Sequence, residues 1–200
     1  MTGEAYENYF VITDPAWEPE PGPDSDLPPV EAVVGVWPVA EDGTVGLFRP
    51  NPDYFPTDVD SPTDPLDAIL RLTAAGEAEA EQLQLILRQS LFDIAMNGDG
   101  RPMLQPSPDD VLCVLLASSG SHRRDLNLPL WRRCDLEALV MLLADDVDVL
   151  VNPGGPAMTR LSGDFVRAAF MASDDELNAA FDRARNQEKV ALVPWEAELR

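Results

Sequence analysis

Histidine, cysteine and basic residues are scarce in this chain, and each scarcity excludes a class of function. The 200 residues include one histidine, two cysteines, and 14 lysines and arginines against 36 acidic residues. A lone histidine and two separated cysteines do not supply the ligands of a zinc site. No Gly-x-Ser-x-Gly turn accompanies His122 to form a catalytic triad. We therefore predict no metal, no cofactor and no catalytic residue.

Long apolar runs are also missing. The longest runs, such as "VLCVLLA" from Val111, are far shorter than the roughly 20 residues of a membrane-spanning helix. The first ten residues lack the basic and apolar regions of a secretory signal. A net charge of -22 repels phosphate backbones and anionic lipids but attracts basic proteins. These features predict a cytoplasmic protein that does not insert into membranes or bind nucleic acid.

The acidic residues are concentrated near the start of the chain. Residues 1–62 contain thirteen acids and one base, Arg49. Prolines crowd the segment "DPAWEPEPGPDSDLPPVEA" and exclude both helix and central strand there. On either side, "YFVIT" and "VEAVVGVWPV" have the β-branched and aromatic content of strands, and Asp42-Gly43 is typical of a hairpin turn. We expect an antiparallel meander.

A helical layer is predicted after the meander. In "SPTDPLDAILRLTAAG" either Thr63 or Asp64 caps the helix, Pro65 lies in its first turn and Gly76 ends it. A second helix is expected over residues 77–89.

The remaining sequence alternates strand and helix patterns. A hairpin is predicted from "LFDIAM", "NGDG" and "RPMLQP", with the last segment as the returning strand. Then follow a buried strand "DVLCVLLASS", a helix "DLEALVMLLA", a strand "VDVLVNPGG" and a short strand "PAMTRL". Ser162 caps the next helix, and "SDDE" is a capping box that opens a last one. Cys113 and Cys134 are interpreted as buried thiols, one in a strand and one at a helix start.

One segment is rich in basic residues, although the chain as a whole is acidic. "SHRRDLNLPLWRR" is expected to include a polar loop around His122, and it concentrates arginine and tryptophan: Arg123, Arg124, Trp131, Arg132 and Arg133. Either the arginines pair with carboxylates of the same chain, or they form a partner contact, since Arg and Trp are favoured at binding hot spots.

Several segments resemble those of a known family, both in their residues and in their order along the chain. "VITDPAW", "AVVGVW", "FRPNPDYFPT" and "SPTDPLDAILRLTAAG" are similar to the N-terminal half of actinobacterial type VII secretion system-associated proteins. The resemblance covers about residues 9–76. It continues more weakly through "DVLVNPGGPAMTRLSGDF", which looks like the Asn-Pro-Gly segment of SseB-like domains, whereas "VLLASSGSHRR" stands where those domains carry Pro-x-Phe-Thr-Ser.

The resemblance implies a soluble accessory protein without established catalytic residues. Its matched positions are strand ends, turns and a helix cap, which favours a scaffold over an active site: Asp14, Trp17, Gly35, Trp37, Asn51, Tyr54, Pro62, Thr63, Asp64 and Pro65.

We therefore expect an α+β or α/β fold, with an acidic meander and first helix in residues 1–76 and an SseB-like mixed-sheet part in residues 77–200, unless both form one continuous domain. The expected function is non-enzymatic: an accessory or chaperone-like protein of type VII secretion that binds a basic protein partner. An acidic inhibitor or immunity protein against a basic toxin is the alternative, and an enzyme with an unidentified carboxylate site is a third option. Besides the arginine cluster, the candidate contact residues are Trp17, Tyr54 and Phe55. The oligomeric state stays open.

Overall fold

The protein has an α+β fold, as the sequence predicts. A computed structural model describes residues 8–18, 28–56, 58, 60–176, 179 and 190–193. Two compact units divide the chain: unit 1 combines residues 1–82 with 173–200, and unit 2 comprises residues 83–172. The sequence suggested a boundary after residue 76. In the structure, the first boundary follows residue 82 and falls inside the helix Ala80–Gln89. A second boundary follows residue 172, and residues 173–200 belong to unit 1.

Unit 1 contains an antiparallel four-stranded sheet. Its strands are β1 (Asn8–Thr13), β2 (Val33–Val39), β3 (Arg49–Pro50) and β10 (Val190–Val193), in the order β10-β1-β2-β3. The meander β1-β2-β3 agrees with the sequence pattern. The turn at Asp42-Gly43 is present, with φ 86° at the glycine, but the returning strand is reduced to a bridge at Val45 and the two residues of β3.

The centre of this sheet is fully buried. All seven residues of β2 are buried, and Trp37 lies opposite Phe10 on the neighbouring strand. Gly35 lies beside the Phe48 ring, which makes an edge contact with Trp37 at a centroid distance of 4.8 Å. Because a side chain at position 35 would occupy the space of that ring, glycine is required there.

The first helix begins and ends where its capping residues predict. α1 spans Pro65–Ala75, and the Asp64 carboxylate accepts hydrogen bonds from two backbone N–H groups of its first turn. Gly76 ends the helix in the left-handed region. α2 spans Ala80–Gln89 and begins three residues later than predicted, because the N–H groups of residues 77 and 78 bond to Leu72 O and so belong to the end of α1.

Unit 2 contains a mixed six-stranded sheet. The strand order is β7-β4-β6-β8-β9, and β5 also pairs with β6. β6 and β8 are parallel, and the other pairs are antiparallel. The strands are β4 (Phe92–Ala95), β5 (Leu104–Pro106), β6 (Leu112–Ala117), β7 (Trp131–Cys134), β8 (Asp148–Val151) and β9 (Thr159–Leu161).

Three local predictions in unit 2 were wrong. The segment "RPMLQP" was predicted to return along β4, but its strand β5 pairs with β6. Next to β4, the hairpin is limited to a bridge between Met96 and Pro102 and the hydrogen bonds of its turn. His122 lies in the short helix α3 (Gly120–Asp125) and is buried, whereas a polar loop was expected. Cys134 ends a strand instead of beginning a helix. Both cysteines are buried free thiols, as predicted.

The other helices of unit 2 follow their capping signals. α4 spans Leu136–Leu142, and α5 spans Gly163–Met171 with Ser162 accepting from Phe165 N. The capping box is present beyond the unit, where Ser173 and Glu176 exchange hydrogen bonds. Residues 177, 178 and 180–185 of the predicted last helix lie outside the described residues, as do residues 19–27 of the proline-rich segment.

Candidate functional site

An acidic loop in unit 1 is held at its start by a single asparagine. The loop follows β3 and covers residues 51–60, of which 57 and 59 lie outside the described part. Asn51 Nδ2 donates to the carbonyl oxygens of Val30 and Val33 at 2.9 and 2.8 Å. The Asn51 amide oxygen also accepts from Asp53 N. Asn51 thereby fixes the loop to the entry of β2.

Tyr54 fixes the middle of this loop. Its hydroxyl lies 3.0 Å from Asp14 Oδ2 and 2.9 Å from the carbonyl oxygen of Pro62. Burial, followed by the negative charge of Asp14, raises the pKa of the Tyr54 phenol. The hydroxyl therefore keeps its one proton, which these two acceptors share. Tyr54 was predicted as a partner contact, but its polar group is used within unit 1.

The end of the loop is held by buried charges on α1. Asp67 is fully buried; its carboxylate accepts from Thr63 N and lies 3.2 Å from Arg71 Nη2. Arg71 also donates to the carbonyl oxygen of Asp60. The loop is therefore attached at its start, middle and end.

The outward side of the loop combines one aromatic ring with carboxylates. Phe55 is 72% exposed, and Asp53, Asp58 and Asp60 are exposed around it in sequence. Trp17, the third predicted contact residue of unit 1, is half-buried next to the turn that Asp14 closes through Ala16 N. We call the exposed group Asp53, Phe55, Asp58 and Asp60 the Phe55 loop surface.

Replacing Tyr54 with phenylalanine is expected to lower the free energy of unfolding by about 1.5 kcal/mol, because two partly buried acceptors lose the hydroxyl that they share. Denaturant unfolding measures this change. Tyr9→Phe is the matched control, since Tyr9 packs on Val11 and its hydroxyl makes no hydrogen bond to a described residue. Equal losses in both variants would show that the Tyr54 hydroxyl does not anchor the loop.

The arginine cluster in unit 2 divides into two pairs. Arg123 Nη1 and Arg133 Nη1 each lie 3.4 Å from Oδ2 of Asp93, a buried carboxylate on β4. Arg124 and Arg132 are exposed and form no ion pair within the described part of the chain. Internal pairing thus accounts for two arginines, and a contact role for the other two stays a prediction.

Trp131 points to a different environment from that of its neighbour Arg132. On β7, Trp131 lies opposite Ala95 and packs against the apolar cluster that includes Leu115 and Leu150. Arg132 points to the opposite sheet face, because side chains alternate along a strand. The predicted contact residues of this segment therefore do not form one continuous patch.

Polar residues also meet where the parallel strands β6 and β8 end. Asn152 Oδ1 accepts from Ser118 N, and Asn152 Nδ2 donates to Ser118 Oγ, both at 2.9 Å. His122 is buried nearby, and a β-carbon added at Gly155 would lie 3.1 Å from its Nδ1 and 3.2 Å from the carbonyl oxygen of Asn152. Sequence reasoning missed Asn152 and Asp93. The signals for Asn152 were its place near the end of the predicted strand "VDVLVNPGG", where the carboxyl ends of parallel strands share one edge, and the Asn-Pro-Gly resemblance; neither gave it a role.

An open groove lies elsewhere in unit 2, with a cavity volume of about 660 Å³. It lies between the segment after β4, the β5-β6 pair and the end of α4. Apolar side chains form most of its lining: Met103, Leu104, Val114, Met141, Leu142 and Val147. The sequence did not indicate this groove, because its walls come from separate segments.

Within the described ranges, no group of three or more His, Cys, Asp or Glu side chains is arranged to hold a metal ion. No helix among these residues is long and apolar enough to cross a membrane. Comparisons with protein-family models, curated proteins and solved structures give no match. The resemblance to type VII secretion-associated and SseB-like proteins therefore stays a prediction.

Proposed function

We propose that the protein is a non-enzymatic, cytoplasmic accessory or chaperone-like protein of type VII secretion that binds a basic protein partner. The observation that supports this proposal is the Phe55 loop surface. It exposes carboxylates and one aromatic ring, and hydrogen bonds of Asn51 and Tyr54 hold its backbone in place. A loop held in one conformation loses little entropy on binding. The carboxylates speed encounter with a basic protein, and the ring supplies an apolar contact.

The same surface also supports the alternative function. An inhibitor or immunity protein covers the basic site of a toxin with carboxylates, and this loop exposes Asp53, Asp58 and Asp60. Purification of the tagged full chain from its native host separates the two functions. A secretion ATPase or several substrates supports the accessory role, whereas one toxin whose activity is lost in the complex supports the inhibitor.

The association rate constant of the recovered partner is expected to fall at least about tenfold between roughly 0.05 and 0.5 M salt, because salt screens the acidic surface. The dissociation rate should change little with salt.

Phe55→Ser should raise the dissociation rate, while Leu47→Ser, at a similarly exposed position of unit 1, should not. Stopped-flow or surface-plasmon measurements give both rates. An association rate that is independent of salt would contradict the proposal.

A further inference from the structure

One side of α4 is buried, and its C-terminal end lines the groove of unit 2. Leu136 and Leu139 are buried, whereas Met141 is 81% exposed at the groove. Leu104, on the opposite wall, is 46% exposed. A volume of about 660 Å³ lies within the range of protein binding pockets, about 300–1,000 Å³. Methionine adapts its shape to a bound apolar group.

Exposed carboxylates lie next to several lining residues in sequence. Asp145 and Asp146 are exposed in the segment that joins the lining residues Ala144 and Val147, and Asp99 directly precedes the lining Gly100. Glu137 is exposed one helical turn before Met141. Among the lining residues, Arg101 is the one base. Asp145 also lies 3.9 Å from Arg167 Nη2. Four carboxylates against these two bases leave the exposed charge beside the apolar lining negative.

We infer that this groove is a docking site for a basic amphipathic segment of a partner protein. Apolar side chains on one face of the segment enter between Met141 and Leu104. Lysine or arginine residues beside that face meet the rim carboxylates of Asp99, Asp145 and Asp146. The inference rests on the proposed function, since the segment belongs to the partner, and it names a second surface besides the Phe55 loop.

The probe is a synthetic peptide of leucine and lysine in which leucine recurs at the i, i+3, i+4, i+7 spacing of a helix face. Fluorescence anisotropy measures its affinity for the full chain at physiological salt. Met141→Ser is expected to weaken binding at least about tenfold, whereas Met141→Leu should retain it. Met171→Ser is the matched control, because Met171 is 76% exposed on α5 and does not line the groove.

Two further arms test the electrostatic part. Asp145→Asn combined with Asp146→Asn should weaken binding more than Glu41→Gln combined with Asp42→Asn, which removes the same charge from unit 1. A peptide of the same composition with scrambled leucine positions should bind at least about tenfold more weakly. Equal effects of Met141→Ser and Met171→Ser, or equal binding of the scrambled peptide, would overturn the docking site.

The partner recovered from the native host distinguishes this inference from the proposed function. If that partner binds the Met141→Ser variant as tightly as the unchanged protein, the groove is not its docking site and the proposed function stands. If the peptide binds the groove as expected while only a toxin is recovered, the accessory function fails and the docking site stands.

Discussion

Replacing Asn152 with alanine is expected to lower the free energy of unfolding by about 3 kcal/mol. The asparagine side chain is fully buried and joins the ends of β6 and β8 through both of its hydrogen bonds to Ser118. Its loss leaves the buried Ser118 N–H without this acceptor. Asn152 also has φ 50°, a conformation that asparagine tolerates better than alanine. Denaturant unfolding at neutral pH measures the sum.

A second asparagine separates the two causes. Asn127 has φ 46° but is exposed, so Asn127→Ala reports the backbone strain alone, about 1 kcal/mol. Asn152→Gly should have a free energy of unfolding higher than that of Asn152→Ala by a similar amount. Glycine adopts this φ without strain, but it does not restore the hydrogen bonds to Ser118. If Asn152→Ala costs no more than Asn127→Ala, the bonds to Ser118 do not stabilise the sheet.

Replacing Gly35 with alanine is also expected to cost about 3 kcal/mol. A β-carbon at this position would lie 2.2 Å from Phe48 Cζ and 2.8 Å from the carbonyl oxygen of Arg49. The ring can turn away only by losing its contact with Trp37, and the carbonyl belongs to β3. Overpacking of this kind costs about 1–3 kcal/mol, and the aromatic contact adds about 0.5–1.5 kcal/mol.

Gly98→Ala is the control for this substitution, because no atom lies within 4 Å of its added carbon. Thermal or denaturant unfolding should place it within about 0.5 kcal/mol of the unchanged protein. Combining Gly35→Ala with Phe48→Ala should cost less than the sum of the single changes, since each relieves the same clash. Strict additivity would contradict this interpretation.

The elements that could be predicted from sequence have local signals. α1 was predictable because its cap, its proline and its terminal glycine are adjacent to it in sequence. β2 was predictable because β-branched residues fill a central strand. The sequence around α3 and β7 lacks such a pattern, since charged residues are poor strand formers. β7 forms because it lies in register with β4, where Arg133 meets the buried Asp93.

The candidate sites depended even more on distant contacts. Tyr54 and Asp14 are 40 positions apart, so their hydrogen bond left no pattern that could tell an anchor from a contact residue. Phe55, the next residue, is exposed as a contact residue must be. Arg123 reaches Asp93 across 30 positions, and the groove combines segments on both sides of β6. The composition indicated an acidic surface, but it did not show at which positions of that surface an apolar side chain would be exposed.

The pairing of β10 with β1 affects how the protein folds during synthesis. Phe10 lies opposite Leu192, so one edge of the unit 1 sheet stays unpaired until residues 190–193 have been translated. At about 5–20 residues per second, that delay is on the order of ten seconds or more. Residues 83–172 form a continuous segment that is complete earlier and is expected to fold first on the ribosome. During the delay, the edge of β1 that later pairs with β10 has unpaired N–H and C=O groups, and such an edge is a template for pairing with a strand of another chain.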